Sequence, residues 1–203
     1  MTSKTHISTG IALASAITLP GSLKSFAICI TAATIGSIIS DIDVTTSTSH
    51  KELTKILTIS VIAIILCTLA ETFFQIGIMN FILGQTNLSR MLIGFFAFLL
   101  ICSFGMNQPH RTFMHSFLCL IVLSAIVCFM LPGATLPFAI GMFSHIFLDL
   151  FNKKKIQLFY PHKWRFAFRK CPANGKVNNR ICAIASSLCL IEVGFLLALY
   201  FHK

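Results

Sequence analysis

Residues 90–151 read RMLIGFFAFLLICSFGMNQPHRTFMHSFLCLIVLSAIVCFMLPGATLPFAIGMFSHIFLDLF, and Arg90, Arg111 and Asp149 are their only charged side chains. Three apolar segments, 90–106, 114–131 and 134–151, follow one another here. Each approaches the ~20 residues that a helix needs to cross ~30 Å of hydrocarbon. Only a helix satisfies every backbone donor and acceptor of such a segment within lipid. The polar break between the first two, Pro109-His110-Arg111-Thr112-Phe113-Met114-His115, concentrates histidine and arginine at one membrane boundary.

The same pattern extends outward. Apolar segments also run over 23–40, 53–70 and 181–201, which makes six strong candidates. A shorter one, 7–19, ends at Leu19-Pro20-Gly21 and crosses, re-enters or pairs as a hairpin arm with 23–40. The stretch 71–83 extends the helix before it or lies in the interface. Of the 203 residues, 56% are apolar and 11% charged, and mean hydropathy is +0.85. A soluble domain carries about 25% charged residues, and disorder needs low hydrophobicity with high charge. The expected fold is therefore an all-α, polytopic helical membrane protein with six to seven membrane helices, forming one integral-membrane domain over 1–203.

Net charge is +10. In a soluble chain this would suggest nucleic acid. In a membrane chain, basic residues instead hold helix ends on the cytoplasmic side and face anionic lipid, so membrane lipid is the expected partner and nucleic acid is not. With the N-terminus inside and seven crossings, every Lys and Arg except Lys24, Arg90 and Lys203 falls on the cytoplasmic side. The 152–180 connection, broken by Pro161, Pro172 and Gly175, becomes a basic cytoplasmic loop. Residues 1–21 resemble a secretory leader in outline, but the small-residue Ala14-Ser15-Ala16 site lies inside the apolar run, so cleavage is not expected. Of the eight cysteines, only Cys171 sits in a polar loop. No C-x-x-C occurs, so neither disulfides nor a thiolate metal site is expected.

With six acids in the chain, their positions carry information. Asp41, Asp43 and Asp149 stand at the ends of apolar helices, and Glu71 and Glu192 lie in or beside apolar runs. Ionisable groups at membrane depth are costly and are functional candidates by default. His145 and Asp149, at i and i+4, share one helix face. His110 and His115, five apart, converge only if 109–111 turns and His115 opens the next helix. Asp41 and Asp43 share a face only on a turn, and a carboxylate at a helix C-terminus opposes the dipole, which calls for a compensating cation. His6 opens the first segment. All of these fall on the cytoplasmic side of the topology set by Lys and Arg. The bland alternatives are a His–Asp hydrogen bond between helices, an interfacial His/Arg cluster and an incidental N-terminal histidine. Read together, the mixed N and O donors His6, Asp41, Asp43, His110, His115, His145 and Asp149 suit a divalent ion such as Zn²⁺, Mn²⁺ or Fe²⁺. They exceed the needs of one tetrahedral zinc and suffice for two ions that activate water.

His6 with Gly10, Asp41-Ile42-Asp43, His110-Arg111-x-Phe113-x-His115-Ser116 and Gly141-x-x-Ser144-His145-x-x-x-Asp149 resemble, in that order, the YdjM family. Gln157-Leu158-Phe159-Tyr160-Pro161 and Trp164-Arg165-Phe166 extend the resemblance, which runs from residue 4 to about 180. The resemblance implies a bacterial inner-membrane, metal-dependent hydrolase, with some relatives under control of the LexA damage response. Departures are Ser40 where family members often have Pro, Val44-Thr45 where many have His-Pro, Asn152-Lys153-Lys154-Lys155 in place of a Thr/Pro/Gly-rich turn, and Asn178-Asn179 where a Glu is common.

The reading that follows is a hydrolase with a metal centre at the cytoplasmic interface. His110, His115, His145 and Asp149 are the leading ligands. Asp41 and Asp43 are ligands, or one of them is the general base, and Arg111 steadies an anionic group. A site at the lipid boundary favours an anionic amphiphilic substrate, such as a phosphoester of a lipid or isoprenoid carrier. The rivals are a non-catalytic metal-binding or transport protein and a regulator that holds anionic lipid through 152–180.

Overall fold

The computed structural model describes residues 1–74, 77–168, 172 and 175–201, with only the backbone described for 79 and 195–201. Arg169, Lys170 and Cys171 of the basic loop, and Lys203, lie outside the described residues. The elements are helical throughout: α1 (Ser3–Thr18), α2 (Leu23–Ile39), a 3₁₀ turn (Ser40–Asp43), α3 (Thr48–Phe74), α4 (Ile78–Gly84), α5 (Thr86–Met106), a second 3₁₀ turn (Phe113–His115), α6 (Phe117–Met130), α7 (Pro132–Leu150) and α8 (Lys176–Phe201). Among the described residues the only β-type pairing is one isolated bridge, Ile156 to Phe166.

Each apolar segment forms a helix, and local chemistry sets the ends. Ser22 and Ser25 make a reciprocal capping box at the start of α2, satisfying donors that the first turn leaves free. Ser116 caps α6 by accepting from Cys119 N, and Pro132 occupies the first turn of α7, where its missing N–H costs nothing. α1 stops at Leu19, held left-handed at φ 43° before Pro20. The 71–83 stretch divides: α3 continues to Phe74, and α4 is a separate short helix. α8 starts at Lys176, within the stretch expected as loop.

Among the described residues, four helices are long and apolar enough to cross a membrane: Leu23–Asp43, Thr48–Phe74, Thr86–Met106 and Pro132–Leu150. α6 is apolar but spans only 14 residues, or ~21 Å at ~1.5 Å per residue. α1, at 16 residues, is shorter than a full crossing and packs among α2, α7 and α8.

α7 is the hub, packed on α2, α1 and α6. The crossing is close because glycine stands at the contact. A Cβ on Gly36 would strike the Phe138 carbonyl, and one on Gly141 would strike the Ala33 carbonyl. Gly10 of α1 faces Ser37 and the Gly141 backbone at the same level. Small residues of this kind allow helix backbones in lipid to approach one another. His6 lies one turn before Gly10 and His145 one turn after Gly141, so the crossing that buries the glycines also sets these two imidazoles side by side.

The 151–168 segment folds back against the bundle. Ile156 and Phe166 exchange backbone hydrogen bonds at 2.8 Å, Leu158 O accepts from Phe117 N, and Arg111 O accepts from Gln157 N. Ile156 and Leu158 are buried, while Phe159, Trp164, Phe166 and Phe168 stay exposed beside Lys163 and Arg165.

Candidate metal centre

The site is built where helix ends meet. α1 and α6 begin there, α2, α5 and α7 end there, and both 3₁₀ turns lie in the gaps. The alternation follows from an up-and-down chain and gathers residues from distant stretches at one end of the bundle.

In the Asp41-Ile42-Asp43 turn, the buried Ile42 points into the core and the two carboxylates reach the cluster from different sides. Asp41 Oδ1 lies 3.6 Å from His145 Nε2. Asp43 Oδ1 lies 2.9 Å from His110 Nδ1, and its Oδ2 lies 3.6 Å from His115 Nδ1. The turn is held by Ser47 Oγ donating to Asp41 O at 2.7 Å and by His50 Nδ1, 2.6 Å from Ile42 O. The Ser40 and Val44-Thr45 departures therefore leave Asp43 fully engaged.

His110 and His115 meet as the turn requires, their rings 5.4 Å apart and edge-on. His115 is buried between two acids, with Nδ1 toward Asp43 and Nε2 3.5 Å from Asp149 Oδ2. Burial alone would lower its pKa, but the Asp149 and Asp43 carboxylates outweigh burial and raise it to about 9. The His145 and His6 rings stack at 3.8 Å. His145 Nδ1 donates to Ser37 O at 2.6 Å, which fixes the tautomer and leaves Nε2 with a free lone pair. His6 Nε2 lies 3.4 Å from Asp149 Oδ1.

Asp149 is the most heavily surrounded group. Besides His6 and His115 it meets Arg111 Nη2 at 2.9 Å, Asn152 Nδ2 at 2.6 Å and the Met1 amine at 3.2 Å. Arg111 also donates its backbone N–H to Asp43 Oδ2 at 3.0 Å and its guanidinium to Lys154 O and His110 Nε2.

All seven candidate ligands thus occupy one cluster. Three overlapping groups place one ligand atom per residue within 4.8 Å of the others: His6–His145–Asp149, Asp41–His115–His145 and Asp43–His110–His115. The donor set fits a divalent ion, because buried imidazole nitrogens of His6, His115 and His145 lack any hydrogen-bond partner. Orphaned polar atoms of this kind are costly unless something fills the gap.

Sequence reasoning missed several supporting residues. Asn152, at i+3 from Asp149, was detectable by spacing. His50 and Ser47 brace the 3₁₀ turn. Ser37 acts through its carbonyl, which no sequence pattern exposes. Asn178, standing where a Glu is common among relatives, accepts from Thr5 Oγ1 at 2.9 Å and Thr2 N at 3.2 Å, and so ties α8 to the start of α1. The acids deeper in apolar runs have local partners: Glu71 accepts from Ile78 N, and Glu192 accepts from Ser15 Oγ.

A protein-family model described as YdjM inner membrane protein matches residues 1–202. No curated protein and no solved structure matches the chain.

Proposed function

This chain belongs to the YdjM inner membrane protein family, and from that premise we propose that it is a multi-pass, metal-dependent hydrolase of phosphoester lipids or isoprenoid carriers. Its N-terminus and its His/Asp centre lie on the cytoplasmic side. The basic residues support that orientation. The exposed Phe159, Trp164, Phe166 and Phe168 of the folded-back segment suit the headgroup level, where aromatic side chains collect, and this supports an interfacial position for the adjoining centre.

The observation that carries the reading is how the three groups overlap. A neutral imidazole offers one lone pair, so His145 and His115 can each serve one group only. The two groups that share no residue are His6–His145–Asp149 and Asp43–His110–His115. Each has two imidazoles and one carboxylate, and together they would hold two divalent ions. Such ions, when bound, supply Lewis-acid activation of water and of a phosphoryl oxygen near neutral pH.

The chain's own residues supply the rest. Asp41 remains outside both groups. It is partly exposed, with a side-chain exposure of 25% against none for Asp43, and is the carboxylate free to accept a proton at Oδ1. Arg111 orients Asp149 and is the fixed cation nearest the centre for an anionic group. Asn152 and Ser37 hold Asp149 and His145 in place. Glu71 and Glu192 each bond locally rather than lining a path of acids through the bundle, which favours hydrolysis over ion passage.

The test is metal analysis of detergent-purified protein beside His115→Ala and Asp149→Ala, followed by a phosphoester-lipid panel. Equal metal content in all three proteins, or full activity of both variants, overturns the reading.

A further inference from the structure

A second feature begins beside this centre. Among the described residues, α3 packs appreciably only on the 40–43 turn and on α4, and beyond its first turns it stands away from the bundle. Between α2, α3, α5 and the α6–α7 hairpin this leaves a laterally open cleft of about 830 Å³. Its walls are apolar, with Ile28, Ile35, Ile56, Phe98 and Leu99 among them. The polar residues on it are graded. Ser3, Thr48, Ser49 and Glu52 lie at the end where α1 and α3 begin, next to Asp41 and Asp43. The one polar residue deeper in, Thr31, has its hydroxyl bonded back to Ala27 O. From Ile28 to Ile42 the α2 wall runs ~20 Å, somewhat more than the ~15 Å of one leaflet's hydrocarbon.

We propose that this cleft holds a single long hydrocarbon chain of an anionic bilayer phospholipid, with the phosphate at the His/Asp centre. The inference rests on the hydrolase reading for the role of the head, but not for the binding of the chain. Ile42 lines the cleft while its two neighbours belong to the centre, so the polar end of the cleft lies beside the His/Asp cluster. The size selects one chain: at roughly 30 Å³ per methylene-sized group, the cleft takes one long chain and not two. A helix of a second copy, about 10 Å across, would displace roughly 1,600 Å³ over the same length. The lining residues Ile35, Ile56 and Leu131 are themselves exposed, so the cleft is continuous with the lipid-facing surface and a chain enters sideways from the bilayer. Hydrolysis would then act on the head while the lipid stays anchored.

The experiment uses the full chain in nanodiscs with phosphatidylglycerol that carries a photoreactive group on one acyl chain, and maps cross-links by mass spectrometry. In the wild type, cross-links concentrate on cleft residues of α2, α3 and α5. Ala32→Phe or Ala134→Phe, which fill the cleft, lower that yield about tenfold, the effect of losing roughly two buried methylenes. Ile121→Phe, on an exposed face elsewhere, leaves it unchanged. A diacylglycerol probe, lacking phosphate, cross-links less. Cross-links spread evenly over the exposed helix faces of the wild type, or unmoved by both filling variants, overturn the proposal. Cleft labelling in a wild-type protein that hydrolyses no phospholipid would sink the hydrolase reading and leave the chain site standing.

Discussion

The backbone N–H of Arg111 meets Asp43 Oδ2 at 3.0 Å because Arg111 is held at φ 67°. That left-handed conformation costs a residue with a side chain of order 1–3 kcal/mol and persists only where its surroundings enforce it. Here the guanidinium is pinned to Asp149 at 2.9 Å, so one strained residue braces the acid of each non-overlapping ligand group. Arg111→Gly should relieve the backbone and keep the N–H on Asp43, whereas Arg111→Ala should keep the strain. Thermal unfolding in detergent should rank Gly above Ala by about 1 kcal/mol. The reverse order would mean that the turn is not strained.

Metal stoichiometry tests the partition of ligands. His6→Ala and His110→Ala should each remove one ion of two, and the double variant both. Asp41→Asn should keep both ions and lose hydrolysis by about 10²–10⁴-fold, the usual contribution of a positioned acid or base. Elemental analysis after desalting reads the first outcome. Loss of all metal from either single variant would show that the groups are not independent.

Asn152→Ala should leave the helices intact and weaken metal binding about 10–100-fold, because Asn152 only orients a ligand carboxylate. A competitive chelator titration measures this. An unchanged affinity would make the 2.6 Å contact incidental.

His115 sets a pH dependence. In metal-free protein its raised pKa means that its ion pairs stabilise the fold fully below the ordinary value of 6.5. That contribution is lost as pH rises through about 9. Metal entry must expel the same proton, so affinity should climb across that window, with proton release visible by calorimetry in buffers of different ionisation enthalpy. His115→Gln should flatten both profiles.

At the central crossing, Gly36→Ala and Gly141→Ala each place a methyl against a partner backbone carbonyl, which cannot step aside as a flexible side chain could. Each should destabilise by about 1–3 kcal/mol. Gly21→Ala, with open space around it, should be silent.

The membrane class and the helix order were written in the chain, because hydropathy and helix length are local properties that lipid leaves little freedom to override. So were the candidates for the His/Asp cluster, since ionisable residues in so apolar a sequence are few. The end of 71–83, the start of α8 at Lys176 and the folded-back 151–168 segment were not legible. They depend on backbone pairings, such as Ile156 with Phe166 and Phe117 with Leu158, between residues with no local periodicity.

The sequence by itself determined that histidines and aspartates would stand at helix ends. Only the tertiary structure decided which of them meet. The approach of α1, α2 and α7 at Gly10, Gly36 and Gly141 is a contact between distant stretches. It stacks His6 on His145 and brings the seven candidate ligands into three overlapping groups, because the side chains' reach is fixed by backbone spacing that no single segment encodes.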